Sequence, residues 1–165
     1  MVCFSLGSNM GNRASYLKKA LLLMSENVGE MTAASSVYET EPWGVSKHEN
    51  YLNMVAVFDT ALSPGELLKT TSLIEKQLGR VRRSKEIEPR TLDIDILFYD
   101  SLIINEPNMV IPHPRITQRK FVLQPLAEIM KDFVHPVSGS TIGELFLHCT
   151  DNSEVVKTKI NLFLH

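Results

Sequence analysis

The sequence predicts an α+β sandwich: an antiparallel sheet with two helices on one face and additional helices towards the C-terminus. Three observations carry this. Stretches that alternate with period two are interleaved with two stretches of period 3.6, in the order strand, helix, strand, strand, helix, strand. Both helical stretches have start and stop signals in the right places. A chain of 165 residues, 44% hydrophobic and 22% charged, can bury one core and shows no repeat or low-complexity tract. It is read as a single domain, residues 1–165, with 151–165 as a peripheral strand or loosely packed tail.

Val2 to Leu6 is an apolar strand running into the small-residue turn Gly7-Ser8-Asn9-Met10-Gly11-Asn12. Such a turn either cradles an anion at a helix start or simply leads to Asn12 as an N-cap; the residues leave both readings open. Arg13 to Asn27 reads as an amphipathic helix with Tyr16, Leu17, Ala20, Leu21, Leu23 and Met24 as its buried stripe, and Gly29 ends it. Thr32 to Thr40 is rich in small and β-branched residues and ends in a second strand, Val37-Tyr38-Glu39-Thr40.

Glu41-Pro42-Trp43-Gly44 opens a loop that holds the only tryptophan of the chain. A tryptophan there caps a core edge or closes over a flat ring. His48, in the same loop, is read as a surface residue. Tyr51 to Asp59 is apolar on both faces, as a central strand covered on both sides would be. Asn53 is its exception. A buried amide must be satisfied, so Asn53 ties down a loop or reads a ligand.

Ser63, Pro64 and Glu66 form a capping box, and the helix they start runs to about Leu78 before Gly79. Glu75 falls in its last turn, against the helix dipole, which calls for a nearby cation such as Arg80 or Arg82. After the fourth strand come a short hairpin, the stiff Ile111-Pro112-His113-Pro114 segment, a helix from Phe121 to Met130 interrupted early by Pro125, and a short one within Gly139 to Leu147, capped by Thr141. The order is that of the split βαβ, or ferredoxin-like, βαββαβ fold.

The chemistry concentrates in the fourth strand. From Leu92 onward, Leu92, Ile94 and Ile96 share one face and Asp93 and Asp95 the other, about 6.6 Å apart along the strand. Two carboxylates side by side in an apolar strand repel each other and resist desolvation, so a cation must answer them. Mg²⁺, a hard ion with oxygen ligands, fits that requirement. The stretch Arg80 to Arg90 has five basic residues against two acidic, a local +3 that leaves −5 for the rest of a chain with net charge −2. His113 is followed by Arg115, Arg119 and Lys120. Cations beside a carboxylate-metal site point to a polyphosphate.

The bulk properties narrow the partners. A net charge of −2 gives no global field to attract nucleic acid or an anionic membrane. No stretch approaches the roughly 20 apolar residues of a membrane span. Cys3 and Cys149 lack any C-x-x-C spacing and read as buried thiols in a reducing compartment, so a cytoplasmic location is expected. No obligate protein partner is implied.

Taken together, Gly7-Ser8-Asn9, Thr40-Glu41-Pro42-Trp43-Gly44, Tyr51-Leu52-Asn53, Gly79-Arg80-Val81-Arg82, Pro89-Arg90-Thr91-Leu92-Asp93-Ile94-Asp95-Ile96 and Ile111-Pro112-His113-Pro114 resemble the 6-hydroxymethyl-7,8-dihydropterin pyrophosphokinase family of folate biosynthesis. The resemblance runs from about Val2 to Leu147. It implies transfer of pyrophosphate from ATP to the pterin hydroxymethyl group, releasing AMP. It also implies two Mg²⁺ ions held by Asp93 and Asp95, with Arg82 and Arg90 catalytic. Thr40, Pro42, Trp43, Gly44, Tyr51, Asn53 and Phe121 would bind the pterin. Glu75, Arg82, Arg90, Ile96, His113 and Arg119 would bind ATP.

Where family members often have Arg, an aromatic residue and Gly before Pro-Arg, this chain has Glu86, Ile87 and Glu88. Two competing readings remain. A kinase transferring only the γ-phosphate explains the aspartates and arginines but not Trp43, Asn53 and Phe121. A non-catalytic ferredoxin-like binding module would not need paired carboxylates on its sheet.

Overall fold

The computed structural model describes residues 1–41, 49–80 and 91–163. Its elements are β1 (Val2–Ser8), α1 (Arg13–Asn27), β2 (Glu30–Ala34), β3 (Tyr38–Thr40), β4 (Tyr51–Asp59), α2 (Pro64–Gln77), β5 (Asp93–Tyr99), β6 (Ile104–Glu106), β7 (Met109–Ile111), α3 (Lys120–Met130), α4 (Ile142–Leu147) and β8 (Val155–Lys157). The main sheet runs β5-β1-β4-β3-β8, and β2 also pairs with β4. Every pairing is antiparallel. This is the expected ferredoxin-like order, with the second strand in two pieces.

Two cores lie on opposite faces of the sheet. On one, Val2, Phe4, Leu6, Met54, Ala56, Phe58, Leu92 and Ile94 pack against Leu17, Ala20 and Met24 of α1 and Leu67 and Ile74 of α2. On the other, Cys3, Val55, Val57, Leu97 and Phe98 meet Val122, Leu123 and Leu126 of α3 and Ile142 of α4. The strand Tyr51–Asp59 is thus covered on both faces, as its sequence requires. Burial of this kind contributes about 25 cal/mol per Å² of apolar surface, and it is what holds the layers together.

The helices begin and end where the sequence signals them. Asn12 Oδ1 accepts from Ser15 N–H, which makes the small-residue segment a capped turn. Ser63 with Glu66, and Thr141 with Glu144, form capping boxes. Gly29 has φ +151°, and a Cβ there would overlap the Asp59 carbonyl. Pro125 lies within a continuous α3, so the expected early interruption does not occur.

Three boundaries differ from expectation. β1 continues through Gly7 and Ser8 because both pair with β4, at Asn53 and Leu52. β3 falls within the expected second strand, Val37 to Thr40, but a further strand, β2, precedes it and is parted from it at Ser35. Ala34 pairs with Ala56 and Tyr38 with Asn53, so β2–β3 holds one extra residue between them. Ser35 fills the gap: its N–H donates to the Val55 carbonyl (2.9 Å), and its Oγ accepts from Val55 N–H (2.9 Å). The last helix starts at Ile142.

The tail 151–163 resolves as the peripheral strand. β8 pairs with β3, matching Thr40 with Val155 and Tyr38 with Lys157, and Leu162 is buried in the first core. Among the described residues, no helix is long and apolar enough to cross a membrane.

Ser35→Ala strands the buried Val55 N–H without an acceptor and should cost roughly 1–3 kcal/mol of stability. Urea unfolding should show a lower midpoint at an unchanged slope. A midpoint equal to wild type would mean that the serine is not part of the ladder.

Candidate active site

The second face of the sheet changes character along its length, in the same register on three strands. Phe98, Cys3 and Val57 form one row. Asp95, Ser5 and Val55 form the next, and Asp93, Gly7 and Asn53 the last. The apolar rows pack under α3 and α4. Val55 stays in the packed core, and the remaining positions of the last two rows, Asp95, Ser5, Asp93, Gly7 and Asn53, floor a cavity of about 490 Å³.

The wall opposite comes from the segment after β7 and the start of α3: His113, Arg115, Ile116, Gln118, Arg119, Phe121 and Val122. Thr40, Glu41 and Tyr51 close one end. The sheet order sets two ends in the cavity floor. Asp93 and Asp95 on β5 lie to one side of β1, and Asn53 on β4 with Thr40 on β3 to the other. His113, Arg119 and Phe121 belong to the wall.

Leu97 faces this cavity as alternation from Asp93 and Asp95 requires, whereas Phe98, which strict alternation puts on the first face, does not follow it. A register shift between Cys3 and Phe4 leaves Leu97 opposite no residue of β1, so both Leu97 and Phe98 join the second core.

Asn53 Nδ2 donates to Thr40 Oγ1 at 2.8 Å, an all-buried pair. A Cβ on Gly7 would stand 2.9 Å from Asn53 Oδ1, so glycine is what admits this amide orientation. The backbone beneath Asp93 is also fixed. Glu75 Oε1 accepts from Ile94 N–H at 2.8 Å, on the outer edge of β5, between the two aspartates. Arg80 bridges the carboxylates of Glu75 (2.6 Å) and Asp93 (2.8 Å). Its side chain is only 10% exposed, a setting in which such contacts are stronger than on open surface. Arg80 is thus the cation that the end of α2 required.

His113 N–H donates to the Leu97 carbonyl, anchoring the segment to β5. Its Nδ1 accepts from Arg115 N–H at 3.2 Å. The neutral ring therefore carries its proton on Nε2. Burial, then the charges of Arg119 and Arg115, lower its pKa to about 4 against an opposing pull from Asp93. Arg119 also lies over the Phe121 ring, 5.5 Å from its centroid.

Of the expected site residues, the structure brings Thr40, Tyr51, Asn53, Asp93, Asp95, His113, Arg119 and Phe121 to one cavity. Glu75 and Ile96 do not line it; Ile96 packs against the first core. Pro42, Trp43, Gly44, His48, Arg82, Glu86, Ile87, Glu88 and Arg90 lie outside the described residues. Sequence reasoning missed Ser5, Leu97, Ile116, Gln118 and Val122 as lining residues, while Arg115 stood among the cations expected near His113. Ser5 was legible in principle, since it continues the Cys3, Ser5, Gly7 alternation.

A family model described as 7,8-dihydro-6-hydroxymethylpterin-pyrophosphokinase (HPPK) matches residues 3–131. The 2-amino-4-hydroxy-6-hydroxymethyldihydropteridine pyrophosphokinase of Bacillus subtilis is 44% identical over 126 residues, covering 76% of this chain and 75% of that protein. The protein of the same name from Aquifex aeolicus is 40% identical over 143 residues, 87% of this chain and 88% of the relative. The folic acid synthesis protein fol1 of Pneumocystis carinii is 41% identical over 151 residues, but the chain spans only 20% of its length. Among solved structures, wild-type HPPK-DHPS of Plasmodium falciparum has the same fold (TM-score 0.74, 17% identity), covering 88% of this chain and 44% of that one.

In the ligand-free protein, His113 should stay neutral to well below the usual histidine range. Between pH 6.5 and about 4 the unfolded chain takes up a proton that the folded chain refuses. His113 therefore lowers stability progressively across that window and by a constant amount below it. The ring Cε1–H resonance should titrate near pH 4; a midpoint near 6.5 would contradict the enclosed, cation-flanked setting.

Proposed function

This chain belongs to the 7,8-dihydro-6-hydroxymethylpterin-pyrophosphokinase family, and on that premise we propose that it transfers pyrophosphate from ATP to 6-hydroxymethyl-7,8-dihydropterin. The observation that carries the reading is the two-ended floor of the cavity, with the paired aspartates to one side and Asn53 and Thr40 to the other on one sheet face.

The pterin ring lies against Phe121, with Trp43 on its other side as the family resemblance implies. Asn53 and Thr40, with the backbone of the loop from Thr40 to Gly44, read its amide edge, and Tyr51 closes that end. This leaves the hydroxymethyl group towards Asp95. The triphosphate lies along Asp93, Asp95, His113 and Arg119, joined by Arg82 and Arg90 from the basic stretch. His113 presents a neutral Nε2–H to a phosphate oxygen, and Arg119 supplies charge.

Asp93 and Asp95 fit a hard divalent cation. They are oxygen donors two residues apart on one face, and no group of three or more His, Cys, Asp or Glu suited to a metal occurs among the described residues. Mg²⁺ takes one or two carboxylates and completes its shell with phosphate oxygens and water. Two such ions, when bound, would neutralise the triphosphate and make the attacking hydroxyl more acidic.

The pterin hydroxymethyl oxygen bonds to the β-phosphorus and the bond from that phosphorus to the α–β bridging oxygen breaks. AMP leaves and the hydroxyl proton passes to solvent. Arg80 and Glu75 hold the Asp93 carboxylate and the Ile94 amide, so the aspartate pair is in place beforehand. Glu75 is read here as a support for the aspartates. The nucleoside contact implied for Ile96 would lie outside the cavity. The chain is read as one domain serving one site, with the cytoplasm as the compartment that supplies ATP.

With ATP, Mg²⁺ and the pterin, AMP and the pterin diphosphate should appear in equal amounts, whereas ADP would make the chain a γ-phosphate kinase. Asp95→Ala should lower the rate by about a hundredfold or more at an unchanged melting temperature. Retention of more than a few per cent of activity would remove Asp95 from the site. Gly7→Ala should weaken pterin binding about tenfold, ~1.4 kcal/mol, and leave ATP binding unchanged. Equal loss for both ligands would contradict the assignment of Asn53 to the ring.

A further inference from the structure

We propose that Asp151 is a positioning residue for the cavity: it fixes the first turn of α3 so that Arg119 and Phe121 face the ligands. The proposal rests on the pyrophosphokinase reading of that cavity. Arg119, the residue before α3, provides no side-chain cap of its own. The cap arrives from 31 residues further along the chain. Asp151 Oδ2 accepts from Lys120 N–H at 2.9 Å, at the residue between the two that line the wall.

Asp151 is itself oriented. Its Oδ1 accepts from Ser153 N–H (2.9 Å) and from the Ser153 hydroxyl. These bonds and the one from Lys120 outweigh burial and hold its carboxyl below the usual range, so it is anionic at neutral pH. An anion at the start of an 11-residue helix is favoured by both the unpaired N–H groups and the dipole.

The segment that carries Asp151 also reaches the facing wall. It continues into β8, whose Val155 pairs with Thr40. Gln124 of α3 reaches the Val155 carbonyl at 3.5 Å, and Thr158 N–H donates to Val37 at 2.9 Å. One strap of chain therefore ties α3 to β3, the two elements that supply Phe121 and Thr40 to opposite sides of the cavity. The family match ends at residue 131, so this strap lies beyond the part of the chain that the family model describes.

The test compares three variants of the full chain by Kd for ATP–Mg²⁺ and for the pterin, melting temperature, and amide exchange at Lys120. Asp151→Ala should weaken one or both ligands roughly fivefold to tenfold and speed exchange at Lys120. Asp151→Asn, which can still accept the hydrogen bond, should restore most of the affinity. Thr141→Ala removes the cap of the remote α4 and should lower the melting temperature without changing either Kd. Unchanged affinity in Asp151→Ala, or an equal loss in Thr141→Ala, would reduce Asp151 to a stability element and overturn the proposal. A wild-type chain that binds neither ligand would overturn the pyrophosphokinase reading, and this inference with it. A wild type that binds both while Asp151→Ala matches it overturns the inference alone.

Discussion

Like charges two residues apart on one strand face set the terms for everything around them. Asp93 and Asp95 occupy the edge strand of the sheet, at the border between packed core and open cavity. Left in water they would repel only mildly, but beside a sheet core their repulsion and desolvation both grow. The fold answers with a partial neutralisation. Arg80 lies against Asp93 and is itself balanced by Glu75, so one positive charge is shared between two carboxylates. That arrangement orients the Asp93 carboxylate while Glu75 takes part of the Arg80 charge.

The same constraint explains why the cavity sits where it does. A helix can cover a sheet face only where that face is apolar. β1 and β5 turn polar or side-chain-free over two rows, through Ser5 and Gly7 and through Asp95 and Asp93, and β4 joins them at the last row with Asn53. α3 and α4 stop at that line, and the uncovered positions become a floor. The other face of the same strands is apolar through Val2, Phe4 and Leu6 on β1 and Leu52, Met54, Ala56 and Phe58 on β4, and α1 and α2 cover it. Stability and the site are thus divided between the two faces of one sheet.

How far this was legible in the sequence follows from the range of each interaction. Local signals held: Asn12, Ser63 and Thr141 cap helices within three residues of themselves, and the period-two pattern located β4 and β5. What escaped depends on pairing between distant segments. Gly7 reads as a turn residue until β4 and β5 are seen to flank it in register. Ser35 reads as one more small residue before a strand until its hydroxyl is seen to replace a carbonyl opposite Val55. The charged part of the cavity was legible because it is compact: alternation alone puts Asp93 and Asp95 on one face, and both line the cavity. Glu75 was recognised as needing a cation, but its bond to Ile94 N–H, 19 residues away, has no sequence signature.

The electrostatics of the opposite wall complement this. Arg115 and Arg119 beside a partly enclosed imidazole make a second positive charge at His113 unfavourable, and its Nδ1 is already used by Arg115 N–H. The wall can therefore offer a directional donor at His113 and a fixed charge at Arg119 without a proton equilibrium near neutrality. A polyphosphate entering between that wall and the aspartates meets donors on one side. On the other it meets carboxylates, which repel it unless a cation intervenes. On the proposed reading, anion and cation would bind as a pair, each making the other's site more favourable.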